Sequence, residues 1–182
     1  MVLGVAEFVL GRRLKSVLDV GCGEASWQPV LKRLRPSVAY LGVDSSEYVV
    51  RRFGRRRGIV RATFGEIDGV LPARPFDLVI ASDVLHYLPG DELRDGLPAL
   101  ASRVAGVAYF DFFTSADAVE GDLREMKLRP PRYYLGLFRR HNLFPLGMQL
   151  FGGRSLVRGL TGMERLSLDV HAMGKQKGSP PL

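Results

Sequence analysis

Short apolar runs alternate with longer amphipathic stretches through the first 112 residues, and this alternation constrains the fold more than any other feature. Strands that are apolar on both faces and separated by helices are typical of a parallel sheet covered on both sides. Helix-like spacing occurs at 24–35, 46–56 and 90–105. The five strands that we predict occupy residues 16–20, 39–44, 58–64, 76–82 and 107–113.

The pattern changes after residue 114. A polar segment ending in Pro130 and Pro131 predicts a loop or lid, and a helical pattern at 133–141 follows it. Two final strands are predicted at 143–152 and 164–174.

These elements predict one α/β domain without internal repeats. A length of 182 residues agrees, because a domain typically has about 100 to 200. We expect residues 1–174 to form this domain, with 114–152 as a lid or substrate region. Residues 175–182 are expected to be a disordered tail.

Composition indicates a cytoplasmic protein. No apolar run reaches the roughly 18 residues that a membrane span needs, and the N-terminus lacks the charge pattern of a secretory signal. The lone Cys22 allows no internal disulfide, which suits a reducing compartment.

A net charge of +7 would suit an acidic partner such as a nucleic acid. The densest basic cluster, at 51–57, has no interleaved aromatic residues and belongs to no recognisable nucleic-acid module. We therefore interpret it as a solvated helix face, and a nucleic-acid partner is not the favoured prediction.

The sequence "VLDVGCGEASW" at 17–27 predicts a ligand-binding turn at the carboxyl edge of the sheet. A dinucleotide fingerprint would need a third glycine where Ser26 stands. Asp19 would repel a pyrophosphate but attract a ligand with an ammonium or sulfonium group. Cys22 lies within the predicted binding turn, and its side chain is interpreted as packing because no base accompanies it.

This turn resembles the first motif of class I S-adenosylmethionine-dependent methyltransferases, with Ala25 in place of a third glycine. The resemblance implies that the turn residues bind the methionine end of the cofactor S-adenosyl-L-methionine, and these are Asp19, Gly21, Cys22 and Gly23. "LGVDSSEYVV" at 41–50 resembles the second motif, and Asp44 would take both ribose hydroxyls.

Two further segments resemble the same family. "FGEIDGVLP" is similar to the turn that cradles adenine, with Glu66 and Ile67 as the contacts, and Ser45 and Ser82 are further expected cofactor contacts. "FDLVIASDVLHYLP" resembles the fourth-strand segment of the small-molecule branch. The family implies a Rossmann-like doubly wound sheet of seven strands, mostly parallel, with a final antiparallel strand.

The implied reaction is methyl transfer to an oxygen, nitrogen or carbon atom of a small molecule, for which a base is optional. His86 is the first candidate base because it follows the fourth strand. Asp111 and Tyr133 or Tyr134 are second candidates. No metal cluster is predicted.

Other functions remain open from the sequence alone. RNA methylation agrees with the charge, but "SDVLHYLP" lacks the Asn- or Asp-Pro-Pro-aromatic quartet of base amino methyltransferases. A non-catalytic domain that binds S-adenosylmethionine or its demethylated product is a second alternative, and a nicotinamide oxidoreductase is a third. A homodimer could complete the site.

Overall fold

The computed structural model describes residues 1–121 and 123–159, in which helices and strands alternate around one sheet. The predicted strand at 164–174 and the tail at 175–182 lie outside the described residues. The helices are α1 (Val2–Leu10), α2 (Trp27–Leu34), α3 (Glu47–Arg57), a 3-10 helix (Phe64–Gly69), α4 (Gly90–Ser102), α5 (Pro131–Arg140) and α6 (Arg154–Gly159). The strands are β1 (Ser16–Val20), β2 (Ala39–Asp44), β3 (Ile59–Arg61), β4 (Phe76–Ser82), β5 (Val104–Asp111), β6 (Phe144–Gly147) and β7 (Leu150–Gly152).

The seven strands form one sheet in the order β3-β2-β1-β4-β5-β7-β6. Strands β1 to β5 pair in parallel, whereas β7 runs antiparallel to both β5 and β6. This confirms the predicted α/β class with a mostly parallel, doubly wound sheet. The direction of winding changes between β1 and β4, which places a ligand-binding crevice at their carboxyl ends.

The two faces of the sheet bury separate apolar clusters. Leu18 and Val79 face the cluster that includes α4, α5 and the 3-10 helix. Val17 and Ile80, their neighbours along the same strands, face the cluster that includes α1 and α2. Because successive side chains of a strand point to opposite faces, near-continuous apolar strands are what a doubly covered sheet requires.

Strand β3 is shorter than the predicted 58–64. It ends at Arg61, and the 3-10 helix begins at Phe64 because Thr63 and Glu66 form a capping box. The Glu66 carboxylate accepts from the backbone N–H of Thr63 at 3.3 Å and from its hydroxyl at 2.8 Å. A capping box ends an extended segment by satisfying the free N–H groups of a helical turn.

The single strand predicted at 143–152 is wrong, since this segment is the β6–β7 hairpin. Gly147, Met148 and Gln149 all have positive φ and reverse the chain there. Met148 and Gln149 are not residues that favour such a conformation, so the turn could not be recognised from residue type.

Residues 112–130 connect β5 to α5, and hydrogen bonds join this connection to the one between β4 and α4. The N–H of Lys127 donates to the carbonyl of His86 at 2.6 Å, and the Arg129 guanidinium donates to the carbonyl of Leu88 at 2.7 Å. Residues 127–129 therefore lie beside the connection that follows the carboxyl end of β4. Within the described part of the chain, no helix is long and apolar enough to cross a membrane.

Candidate functional site

The turn after β1 is held against the end of β2. The N–H groups of Gly21 and Cys22 both donate to the carbonyl of Val43, at 2.8 and 3.1 Å. Gly21 and Gly23 have φ of 68° and 50°, a region that glycine enters without steric cost. A Cβ on Gly21 would lie 2.5 Å from a methyl group of Val84, so the absence of a side chain at this position makes room for Val84.

Ala25 occupies the position of the third glycine in the methyltransferase motif that the turn resembles. It adopts the backbone conformation that a glycine would favour. Its φ is 59°, and the residue is completely buried. The left-handed conformation costs a non-glycine residue about 1 kcal/mol or more. Ala25 nevertheless keeps the turn intact, since its N–H donates to the carbonyl of Cys22 at 2.8 Å.

Asp44 joins the glycine turn to α3. One carboxylate oxygen accepts from the N–H of Gly23 at 2.8 Å, and the other accepts from the N–H of Ser46 at 2.9 Å. Ser46, not Ser45, caps α3 by accepting from the N–H of Val49. A carboxylate has about four acceptor positions, so Asp44 keeps capacity for two further donors, the number that a ribose diol offers.

A cleft opens beside Asp44 at the carboxyl ends of β1 and β2. Most of its walls are apolar, with carboxylates at Asp44 and Glu92, and Glu92 accepts from the N–H of Phe64 at 3.0 Å. A cleft lined by apolar side chains and a carboxylate fits an aromatic base attached to a sugar. The lining residues are Val20, Gly21, Val43, Asp44, Ser45, Ala62, Phe64, Val84, Leu88 and Glu92.

The two predicted adenine contacts lie outside this cleft. Ile67 is completely buried in the core, and the Glu66 carboxylate is occupied by the capping box with Thr63. Ala62 and Phe64, on either side of Thr63, line the cleft instead. Neither Glu66 nor Ile67 is part of the cleft lining, because the 3-10 helix buries Ile67 in the core and uses Glu66 in its N-terminal capping box.

Asp19 lies beneath the turn rather than in the cleft. It is 2% exposed, and its carboxylate accepts from the Tyr40 hydroxyl at 2.7 Å. Burial, with a smaller contribution from the charge of Asp44, raises the pKa of Asp19 to about 6 against the lowering effect of the Tyr40 hydrogen bond. Burial, followed by the charges of Asp19 and Asp44, also raises the pKa of the Cys22 thiol to about 12. A thiol of this kind is not a nucleophile at neutral pH, which agrees with the packing interpretation.

We expect Asp19→Asn to stabilise the ligand-free protein increasingly as the pH rises. The folded state keeps the Asp19 proton up to a pH of about 6, whereas the unfolded state releases it near pH 3.8, the ordinary pKa of an aspartate side chain. Wild-type stability therefore falls through this window, and the full cost is present above it. Urea unfolding should show the advantage of the variant growing by about 2 kcal/mol between about pH 4.5 and pH 7.5.

Glu24→Gln supplies the control, because Glu24 is an exposed acid close to the same turn. Its stability difference from the wild type should stay nearly constant over the same range. An Asp19→Asn difference that is constant or shrinks with pH would contradict the buried-charge argument.

His86 is fully buried, and its ring nitrogens are poorly placed for catalysis. Nδ1 accepts from the N–H of Phe113 at 3.3 Å, which leaves the proton on Nε2. Nε2 makes no hydrogen bond within the described residues, although a carboxylate oxygen of Asp83 lies 3.3 Å away. Burial lowers the pKa of His86, while the charges of Asp83 and Asp111 act in the opposite direction. This placement argues against His86 as a base.

The other candidate residues are divided between two places. Ser82 and Asp111 are paired across β4 and β5, with the Ser82 hydroxyl 3.3 Å from the Asp111 carboxylate, which also accepts from Gln149 at 2.9 Å. Tyr133 lies on α5 beside α4. His86, Asp111, Tyr133 and Ser82 are all absent from the lining of the cleft.

Leu88, just before α4, and Glu92, in its first turn, also line the cleft and were not predicted from the sequence. Glu92 belongs to the first turn of an amphipathic helix, where an acid is expected at the helix N-terminus for reasons unrelated to a site. Among residues 1–121 and 123–159, no group of three His, Cys, Asp or Glu side chains could hold a metal ion.

Comparison with known proteins identifies similar chains. Residues 18–106 match the family described as "Methyltransferase domain". A trans-aconitate 2-methyltransferase of Methylobacterium nodulans is 33% identical over 89 residues, which is 49% of this chain and 34% of the relative. A second one, from Azoarcus, is 31% identical over 74 residues, 41% of this chain and 29% of the relative. The matches thus cover about a third of the length of these curated relatives.

Solved structures share the fold at low sequence identity. A SAM-dependent methyltransferase from Archaeoglobus fulgidus aligns with a TM-score of 0.61 at 18% identity, over 72% of this chain and 62% of that one. The O-methyltransferase from a trans-AT PKS multienzyme of Brevibacillus brevis, in complex with S-adenosyl-L-homocysteine, aligns with a TM-score of 0.57 at 15% identity. That alignment covers 77% of this chain and 50% of the other.

Proposed function

We propose that this chain, whose residues 18–106 match the methyltransferase domain family, is a class I S-adenosylmethionine-dependent methyltransferase that methylates a small molecule at an oxygen, nitrogen or carbon atom. The observation that carries the proposal is the cleft beside Asp44. It combines an apolar slot with a carboxylate that has unused acceptor capacity. Relatives named trans-aconitate 2-methyltransferases support a small-molecule acceptor.

The residues of the cleft suit the parts of the proposed cofactor. Ala62, Phe64 and Leu88 would enclose the adenine, and Asp44 would accept from the ribose hydroxyls. The Gly21–Gly23 turn and the buried Asp19 would hold the methionine end, where a negative charge favours an ammonium group. Ser45 lines the cleft next to Asp44 and is a further proposed contact.

When bound, S-adenosylmethionine supplies a methyl carbon to which the acceptor atom bonds while the carbon–sulfur bond breaks and its electron pair stays on sulfur. The chain's own contribution is then to bind and align the acceptor and to exclude water, which accounts for much of the rate in such reactions. An acceptor that is already an anion, such as a carboxylate, needs no base. Such an acceptor suits a site in which the Nδ1 lone pair of His86 is already engaged with Phe113.

A non-catalytic binding domain is the second candidate function. It is favoured by one observation, that none of the three candidate catalytic residues, His86, Asp111 and Tyr133, lines the cleft. Methylation of RNA is less favoured, because the relatives named above act on small molecules by their names. A cytoplasmic location and a homodimer are further parts of the proposal.

The test is a calorimetric titration of the protein with S-adenosylmethionine, S-adenosylhomocysteine and NADH. Binding of the first two but not of NADH is expected, and NADH binding alone would overturn the proposal. Incubation with labelled S-adenosylmethionine and trans-aconitate or other carboxylates then separates the two candidate functions. Label transfer to a small molecule supports the enzyme, and tight binding without transfer to any acceptor supports the binding domain.

A further inference from the structure

A basic groove runs between α4 and α5, on the same side of the sheet as the apolar cluster around Leu18. Most of its lining comes from one face of α5, where residues spaced by three and four are neighbours. We call it the arginine groove, and its lining residues are Arg94, Arg132, Tyr133, Gly136, Leu137 and Arg140.

Three hydrogen-bond donors from three segments lie close to one point beside this groove. They surround the position that a Cβ of Gly90 would occupy, with Arg94 Nη1 at 3.3 Å, the Tyr133 hydroxyl at 3.6 Å and Arg129 Nη2 at 3.7 Å. Gly90 is the first residue of α4, where the helix dipole adds positive potential. Because Gly90 has no side chain, no Cβ stands between these donors.

The arginines of this groove have no acid to neutralise them in the described part of the chain. Arg94, Arg132 and Arg140 take part in no ion pair there, although Asp91 and Asp95 flank Arg94 on the same helix. Among residues 1–121 and 123–159, Arg129 donates only to neutral acceptors, the carbonyls of Leu88 and Lys127 and the hydroxyl of Tyr134.

Arg129 is also fixed in position by aromatic rings. Its guanidinium carbon lies 5.3 Å from the centre of the Tyr133 ring and 6.0 Å from that of Tyr134. A guanidinium held in this way loses little conformational entropy when it binds an anion, so its hydrogen bonds contribute more to affinity.

The convergence point adjoins the cofactor cleft. Leu88 and Glu92, two residues to either side of Gly90, both line the cleft. Arg129 donates to the carbonyl of Leu88 and so connects the groove to the cleft wall. A small molecule with its anionic group near Gly90 therefore has its remaining atoms beside the cleft.

We propose that the arginine groove binds the anionic group, a carboxylate or a phosphate, of the small-molecule methyl acceptor. The inference rests on the proposed function, because it assigns the acceptor side of the same site. Guanidinium groups pair with both kinds of anion through two parallel hydrogen bonds, and the Tyr133 hydroxyl supplies a third donor. Tyr133 thus acts in binding rather than as a base.

The experiment measures binding of citrate and inorganic phosphate by calorimetry in the presence of saturating S-adenosylhomocysteine. We compare the wild type with Arg94→Gln, Tyr133→Phe and the control Arg139→Gln, an exposed arginine of α5 outside the groove. Arg94→Gln should weaken binding of the better probe about tenfold or more, and Tyr133→Phe about threefold, as expected for one charged and one neutral hydrogen bond. Arg139→Gln should bind within twofold of the wild type.

The outcomes separate this inference from the function on which it rests. Failure of the wild type to bind S-adenosylhomocysteine would overturn the proposed function. Normal binding of S-adenosylhomocysteine with no binding of either anion, or with equal losses in Arg94→Gln and Arg139→Gln, would overturn the groove assignment alone. Preference for citrate or for phosphate identifies the acceptor as a carboxylate or a phosphate compound. Tighter, Arg94-dependent binding of a short RNA than of either probe would overturn the small-molecule assignment.

Discussion

Replacing Gly96 with alanine is expected to destabilise the protein by about 3 kcal/mol or more, the upper range for overpacking a core. Gly96 is buried in α4, where the helix packs against the 3-10 helix. An alanine Cβ would lie 2.0 Å from the carbonyl oxygen of Phe64 and 2.4 Å from its ring. The carbonyl of Phe64 belongs to the backbone and cannot move aside as a flexible side chain can. Helix α4 and the 3-10 helix would therefore have to separate.

Urea unfolding followed by circular dichroism measures this effect. Gly4→Ala in α1 is the matched control, because a Cβ on Gly4 meets no atom within 4 Å. That variant should be unchanged or more stable by up to about 1 kcal/mol, since alanine favours a helix. A loss below about 1 kcal/mol in Gly96→Ala would show that α4 and the 3-10 helix approach each other less closely than described.

The same substitution connects stability to the site. Phe64 lines the cleft beside Asp44, and its N–H is held by Glu92 of α4. Displacing the 3-10 helix would move this wall. We therefore expect any folded Gly96→Ala protein to bind S-adenosylhomocysteine more weakly than the wild type.

Replacing Asp44 with alanine is expected to lower the affinity for S-adenosylhomocysteine by about 100-fold or more. Two hydrogen bonds from ribose hydroxyls to a carboxylate contribute about 1.5 to 3 kcal/mol each, and each 1.4 kcal/mol is a factor of ten. The substitution also removes the acceptors for the N–H groups of Gly23 and Ser46. The glycine turn and the start of α3 are then no longer connected through this carboxylate.

Calorimetric titration measures the affinity, and thermal unfolding establishes that the variant is folded. The control is Glu47→Ala, which removes an exposed acid of α3 that pairs only with Arg61 at 3.8 Å. Its affinity should lie within about twofold of the wild type. If a folded Asp44→Ala protein bound S-adenosylhomocysteine within about threefold of the wild type, the assignment of Asp44 to the ribose would be wrong.

Strands β1 and β4 could be predicted from sequence because their runs of apolar residues are buried on both faces. Strands β1, β2 and β4 begin and end at the predicted residues. Strand β3 was predicted too long, although Thr63 and Glu66 stand at capping-box spacing. The hairpin of β6 and β7 was missed because its turn uses Met148 and Gln149 at positive φ, against their ordinary preference.

The site was predicted in part for a related reason. Asp44 and the glycine turn are local features of strand ends, and parallel strands bring their carboxyl ends to one edge. Glu66 and Ile67 were assigned to adenine, but the 3-10 helix turns them away, and Ala62 and Phe64 line the cleft. Similarly, His86 follows β4 as predicted, yet it points into the core.

The sequence by itself determined the class of fold, the turn after β1 and the acid after β2, because hydrophobic period, glycine conformation and strand-end position are recorded in neighbouring residues. Only the tertiary structure decided which side chains face the cleft and that Arg94, Arg129 and Tyr133 surround one point at Gly90. Those residues are brought together by α4 and α5 packing on a shared sheet face. Contacts of that kind depend on the path of the whole chain, and no local pattern encodes them.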